Sequence, residues 1–246
     1  MPFPSTHFSS NIHSFKAQGK LLLTGEYFVL DGALALALPT KLGQQLNIQK
    51  DEHTTHRLHW KSLTADGHCW FEGRFDLSNL NLIDSNNQEV GKRLQQILEQ
   101  AKTLNPNFLE FPSGRSLKVE TYLEFPRQWG LGSSSTLLSN IASWAQVDAY
   151  QLLAQSFGGS GYDLACAEAK GPIFFQKKAG KNEIDPCPFS PPFRDQLYFV
   201  YLEQKQNSRE GIARYRSKTK IVDQQHIDFI SGLSQKCSDA NDLAIF

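Results

Sequence analysis

Gly130-Leu131-Gly132-Ser133-Ser134-Ser135, inside PRQWGLGSSSTLLSNIASWAQV (residues 126–147), decides how the rest of the chain is read. Upstream, residues 116–124 alternate, with Leu117, Val119, Thr121 and Leu123 on one side, which predicts a strand. Downstream, TLLSNIASWAQV has helical composition and enough small residues for close packing. A glycine-rich turn between a strand and a helix lets the backbone approach a ligand while the first free N–H groups of the helix point at it. Such a nest holds phosphate through backbone donors and the positive helix end. The serine hydroxyls add donors, and one can meet a metal ion on the phosphates. The loop is not a Walker A sequence, because no GxxxxGK[ST] is present and no lysine follows the glycines. A tight turn followed by a serine N-cap accounts for the same six residues without any ligand.

Two further segments carry chemistry. In Gly158-Gly159-Ser160-Gly161-Tyr162-Asp163 a flexible turn precedes a carboxylate. Asp163 either caps a short helix beginning at Leu164 or stands near a reacting hydroxyl, orienting it or taking its proton during phosphoryl transfer. In GKLLLTGE (residues 19–26), Lys20 can neutralise phosphate or depress the pKa of an acceptor hydroxyl. Glu26 can position substrate or pair with Lys20. Two exposed strand-end charges without a role fit that segment equally well. Weaker signals are the basic run Arg209, Arg214, Arg216, Lys218 and Lys220, which reads as a solvated helix face or an anion site. Trp129 packs against the glycine loop or against an adenine. His53, His56 and His59 fall on a strand pattern, with no HExxH, so a zinc site has little support.

Around these segments the pattern predicts strands over 12–18, 20–30, 34–38, 42–49, 56–62 and 68–76, a loop over 78–87 and an amphipathic helix over 88–103 through Val90, Leu94, Ile97, Leu98 and Ala101. Asp148 caps a helix running to about Phe157, and Leu164–Ala169 resumes it. Proline-rich punctuation from Pro186 to Pro192 is a domain connection or a loop, YFVYL (198–202) is a strand, and 208–216 and 223–236 are helices. Strands first and helices interleaved later argue for an α+β chain.

Composition bounds the partners. Among 246 residues, Lys plus Arg and Asp plus Glu both number 25, which gives no long-range field for nucleic acid or an anionic membrane. No run approaches the ~18 apolar residues of a membrane span. The lead segment lacks the basic-then-apolar pattern of a secretory signal. Cys69, Cys166, Cys187 and Cys237 are widely spaced without a CxxC pair, as expected of reduced thiols in the cytoplasm.

Taken together and in this order, AQGKLLLTGEYFVLDGALALALPT (17–40), WGLGSSSTLLSNIA (129–142) and GGSGYDLACAEAKG (158–171) resemble the three landmark segments of the GHMP kinases. The last is especially similar to phosphomevalonate kinases and to a bacterial branch with a GYD-Ile/Leu-Ala signature. The resemblance implies a ribosomal protein S5 domain 2-like N-terminal domain over 12–185 and a ferredoxin-like C-terminal domain over 193–246. It implies ATP with Mg²⁺ as phosphoryl donor and a small-molecule acceptor, mevalonate or phosphomevalonate first, with no nucleic-acid or membrane partner and a homodimer left open. By motif position Gly130, Leu131, Gly132, Ser133, Ser134 and Ser135 hold the phosphates, with Ser134 the metal contact. Asp163 and Lys20 are the catalytic pair, and Glu26, Gly161 and Tyr162 lie beside the substrate.

Two departures from the family pattern bear on activity. The stretch Ala149–Gly161 contains no Asp or Glu, where mevalonate kinase-like members carry a magnesium-binding glutamate. A glycine-rich third motif is missing, and SDANDLAIF reads as the opening of a helix. The expectation is a truncated C-terminal domain with apolar surface left uncovered and a tendency to self-associate. A non-catalytic nucleotide-binding protein on the same scaffold is the alternative.

Overall fold

The computed structural model describes residues 12–51, 56–110, 115–156, 158–179, 181–203, 208–218 and 222–246. The lead segment 1–11, His53 and Lys220 lie outside the described residues. The chain is α+β and divides into two compact units, each assembled from separated stretches. One comprises Met1–Lys16, Gln44–Glu124 and Leu137–Ser156, the other Ala17–Gly43, Phe125–Thr136 and Phe157–Phe246. Three elements contribute residues to both: strands β1 (Ile12–Leu22) and β2 (Ala35–Asp51), and helix α2 (Ser133–Ala145).

In the first unit the later half of β2 joins β3 (Arg57–Leu63), β4 (Cys69–Asp76), β5 (Leu82–Ser85) and β6 (Ser116–Leu123) in the order β5-β4-β3-β6-β2. The β3–β6 pair is parallel, with Trp60 opposite Val119, and the other pairs are antiparallel. Alternation along β3 buries Leu58, Trp60 and Ser62 and leaves His59 and Lys61 on the wetter face. The buried Trp60 indole donates to Ser62 Oγ at 3.1 Å, so its N–H is satisfied where water is excluded. Helix α1 (Gln88–Leu104) begins where the Asn87 side chain accepts from Val90 N and buries Leu94, Ile97, Leu98 and Ala101 of the predicted apolar face, while Val90 is only half-buried. Helix α3 (Ala149–Ser156) follows Asp148, whose Oδ1 accepts from Gln151 N at 2.7 Å.

In the second unit the start of β2 pairs antiparallel with β7 (Ile173–Lys178), with Ala35 opposite Phe175, and β7 pairs antiparallel with β8 (Lys181–Pro186). Its core is Val29, Ala35, Ala37, Tyr162, Ala165, Cys166, Ile173 and Phe175, with Leu22 and Ala169 packed against it. The short helix α4 (Tyr162–Glu168) contributes Tyr162, Ala165 and Cys166 to this core. Each fully buried large side chain here contributes about 1.5–3 kcal/mol. Helices α5 (Ser208–Lys218) and α6 (Gln224–Asp239) complete the described chain.

The structure corrects four local expectations. The strand expected over 20–30 ends at Leu22, because Gly25 (φ 83°) and Tyr27 (φ 60°) turn the backbone and Phe28–Asp31 forms a single 3-10 turn. The strands expected over 34–38 and 42–49 are one continuous strand. The stretch expected to be loop contains β5, which Arg74 anchors through a bidentate pair with Asp84. The hydrophobic run YFVYL pairs with no strand among the described residues and leaves Tyr198, Val200 and Leu202 84%, 71% and 79% exposed. Strand composition without a ladder partner does not make a strand. Among the described residues, no helix is long and apolar enough to cross a membrane.

Candidate active site

The chemistry-bearing residues of all three landmark segments, Lys20, Gly130–Ser135 and Asp163, lie in the second unit. Pro126 starts a 3-10 turn over Arg127–Trp129, Gly130 follows in the left-handed region (φ 74°), Gly132 repeats it (φ 87°), and α2 starts at Ser133. The first helical bond runs from Thr136 N to Gly132 O at 2.9 Å, and Thr136 Oγ1 donates to Ser133 O. The N–H groups of a helix's first turn have no acceptor within the helix, so those at Ser133, Ser134 and Ser135 are available to an anion beyond the end. Gly130 and Ser134 are exposed, and a Cβ on Gly130 would meet nothing within 4 Å, so the outer side of the loop faces open space. Leu131 is buried and holds the loop down, its carbonyl accepting from Lys20 N at 3.0 Å. Gly19 allows this approach, since a Cβ there would lie 2.8 Å from the same carbonyl oxygen.

Lys20 extends from the end of β1 beneath Gly132. Its Nζ lies 2.7 Å from the Tyr162 hydroxyl and 3.3 Å from Asp163 Oδ1, and it passes 4.9 Å from the centroid of the Tyr162 ring. The Lys20 and Asp163 side chains are 17% and 28% exposed, so the pair is sheltered but reachable. Asp163 occupies the first turn of α4, where the helix end favours a carboxylate, and Gly161 (φ 90°) makes the sharp entry as N-cap. Of the two open readings of Asp163, the helix cap does not hold: the cap position belongs to Gly161, one residue before α4 begins at Tyr162.

Electrostatics link five groups: Lys20, Asp163, Tyr162, Glu26 and Cys166. Burial works against the Lys20 charge, but the Asp163 carboxylate and the Tyr162 hydroxyl outweigh it and the ammonium titrates above its ordinary value. Burial and the Asp163 charge push the Tyr162 phenol up against the opposing pull of Lys20. Burial also raises Glu26, Asp163 adds to the rise and Lys20 opposes it. On the same helix as Asp163, burial and the Asp163 charge push the Cys166 thiol up to about 12. The site therefore holds an ammonium paired with the Asp163 carboxylate, and a second carboxyl group, Glu26, whose charged form burial disfavours.

Two helices fasten the stretch that carries Glu26. From α6, Ser234 Oγ meets Thr24 Oγ1 at 2.7 Å and donates to Leu34 O, while Ser231 Oγ accepts from Leu34 N. From α5, the Tyr215 ring stacks on Tyr27 (5.4 Å, 17°), its hydroxyl donates to Asp31 Oδ2 at 2.5 Å, and Arg216 pairs with Asp31. One member of the basic run is thus an internal fastener. These contacts join residues 184 to 210 positions apart, and nothing in local sequence announces them. The Trp129 ring meets Phe199 at 6.4 Å.

Among the described residues, no group of three or more His, Cys, Asp or Glu could hold a metal ion by itself. Gly130–Ser135 with Lys20 fits a polyphosphate, through a glycine backbone facing open space, a helix start and one ammonium. A magnesium ion bound mainly through phosphate oxygens and water needs only one or two protein oxygens.

No protein-family model and no curated protein matches this sequence. Solved structures do. Mevalonate kinase of Methanococcus jannaschii matches at TM-score 0.62 and 14% identity, over 95% of this chain and 74% of that one. Phosphomevalonate kinase of Streptococcus pneumoniae, in complex with phosphomevalonate and AMPPNP, matches at 0.61 and 14%, over 93% and 73%. Leishmania (L. major) mevalonate kinase in complex with R-mevalonate matches at 0.59 and 15%, over 98% and 72%. The chain thus shares the fold of the mevalonate and phosphomevalonate kinases.

Proposed function

We propose that this protein is an ATP-dependent small-molecule kinase of the GHMP type, passing a γ-phosphoryl group to a hydroxyl or phosphate acceptor. One observation carries the reading: the Lys20 ammonium, 3.3 Å from Asp163 Oδ1, lies under the Gly132 turn at the start of α2. Phosphoryl transfer asks a protein chiefly for positioning and for charge stabilisation, and this arrangement supplies both. The N–H groups and hydroxyls of Ser133, Ser134 and Ser135 bind the phosphates, and Ser134 with Asp163 offers oxygens to magnesium. ATP supplies the transferred group. Lys20 stabilises negative charge between donor and acceptor. Asp163 orients the acceptor hydroxyl and receives its proton. Glu26 and Gly161 border the acceptor. Residues 12–185 carry the nucleotide site, and 193–246 belong to a second, ferredoxin-like domain.

Mevalonate or phosphomevalonate is the leading acceptor, supported by the GKLLLTGEYFVL and GYDLA segments and by the fold shared with structures that hold those ligands. A non-catalytic nucleotide-binding role is the second reading, favoured by the absence of Asp and Glu from Ala149 to Gly161. Calorimetric titration of MgAMPPNP, with Gly132→Arg as control, followed by an acceptor screen for ADP release, separates them. Saturable binding lost in the control, together with acceptor-dependent ADP release, is the expected result. Binding without any release favours the second reading. A folded chain that binds no nucleotide defeats both.

A further inference from the structure

Tyr162 combines a buried ring with a committed hydroxyl. The residue is 8% exposed, sits in the core of the second unit and packs edge-on against Phe175 at 6.5 Å. A ring gripped this way has one orientation, and that orientation aims the hydroxyl at Lys20 Nζ, 2.7 Å away. Little of Tyr162 is left to touch a ligand.

We infer that Tyr162 is a positioning residue: its hydroxyl holds the Lys20 ammonium in place independently of Asp163, which leaves the carboxylate free to engage the acceptor. This rests on the phosphoryl-transfer reading of the site. Lysine has a long flexible stem and loses much rotamer freedom when fixed. Asp163 is the more exposed of its two partners and, on that reading, must exchange the ammonium for an acceptor hydroxyl during turnover. A lysine tied only to Asp163 would move with it or neutralise it. A rigid phenol removes that conflict, because it accepts a hydrogen bond without adding charge. An ammonium has three N–H donors. Two meet Tyr162 and Asp163, and the third has no partner among the described residues, leaving it for a phosphate or acceptor oxygen.

The test reads Lys20 directly. Trace labelling with acetic anhydride, resolved by peptide mass spectrometry across pH 7–11, compares its reactivity with that of the other lysines. In Tyr162→Phe, Lys20 is expected to label about tenfold faster at pH 9, the scale of one lost hydrogen bond to a charged group, while the other lysines and the melting temperature stay unchanged. Replacing Tyr162 with 3-fluorotyrosine keeps shape and hydroxyl but weakens the acceptor oxygen. It gives an intermediate rise and serves if the phenylalanine variant folds poorly. Unchanged Lys20 labelling in these variants overturns the inference, since Asp163 alone would then hold the lysine. Absence of MgAMPPNP binding by the wild-type chain defeats the kinase reading instead, so the two failures are told apart.

Discussion

A Cβ built on Gly132 would stand 3.1 Å from Lys20 Cγ: the second glycine of the loop is seated on the stem of the lysine. The left-handed backbone at this glycine (φ 87°) adds a conformational cost of ~1–2 kcal/mol to any side chain placed there. Gly132→Ala should therefore keep the fold yet displace Lys20, weakening MgAMPPNP binding at least tenfold by calorimetry. Gly130→Ala meets open space and should weaken it less.

Asp163→Asn keeps the size of the side chain and removes its charge. On the kinase reading, turnover falls by about 10²–10⁴-fold, the usual contribution of a positioned proton acceptor, while nucleotide affinity changes little. Equal turnover of wild type and variant removes Asp163 from the chemistry.

Glu26 contributes with a definite sign. Its folded-state pKa lies above the ordinary 4.5, so over the window just above that value the native state binds more protons than the unfolded one. Stability falls as pH rises through that window. Glu26→Gln should melt higher than wild type at pH 7, and the difference should close below pH 4.5, as followed by circular dichroism at several pH values. A melting temperature lowered at pH 7 would mean that attraction to Lys20 outweighs burial.

Asp31 accepts from both Tyr215 and Arg216 and is itself 17% exposed. Arg216 is half exposed, so its share is screened. Asp31→Ala should cost about 1–2 kcal/mol and appear in hydrogen exchange as faster exchange of the α5 amides, with α1 unaffected.

Tyr198, Val200 and Leu202 form an exposed apolar run larger than single surface residues usually present. Sedimentation velocity should show concentration-dependent self-association, and replacing all three with serine should shift the population to monomer. A wild-type chain that sediments as a monomer at every concentration would exclude the run as a contact surface.

Much of this was legible in the sequence, for identifiable reasons. Helix α1 follows from the spacing of Leu94, Ile97, Leu98 and Ala101, and strand β3 from the alternation around Trp60, because both patterns are local. The loop Gly130–Ser135 was legible because its composition admits few backbone paths. What stayed hidden depends on partners distant in the chain. Tyr162 meets Lys20 across 142 positions, and its hydroxyl in GYD reads equally as a ligand contact. Asp31 gains its partners Tyr215 and Arg216 only from α5, some 185 positions away. YFVYL misled in the opposite direction: its composition is that of a strand, but pairing belongs to two strands and no second one is described beside it. Motif position puts Glu26 beside the substrate, but its reluctance to ionise comes from burial, which one-dimensional reading does not measure.

Cys166 lies on α4, the same helix that carries Asp163, and is fully buried in the core of the second unit, with its thiol pushed up to about 12. A thiol so rarely deprotonated is silent toward alkylating agents and oxidants while the helix stays seated. Its slow reaction then becomes a clock. Each modification of Cys166 records one lifting of α4, so the alkylation rate with excess reagent measures how frequently the floor of the site opens. Anything that binds above and keeps that floor shut would be visible as a slower clock, without a label on the binder.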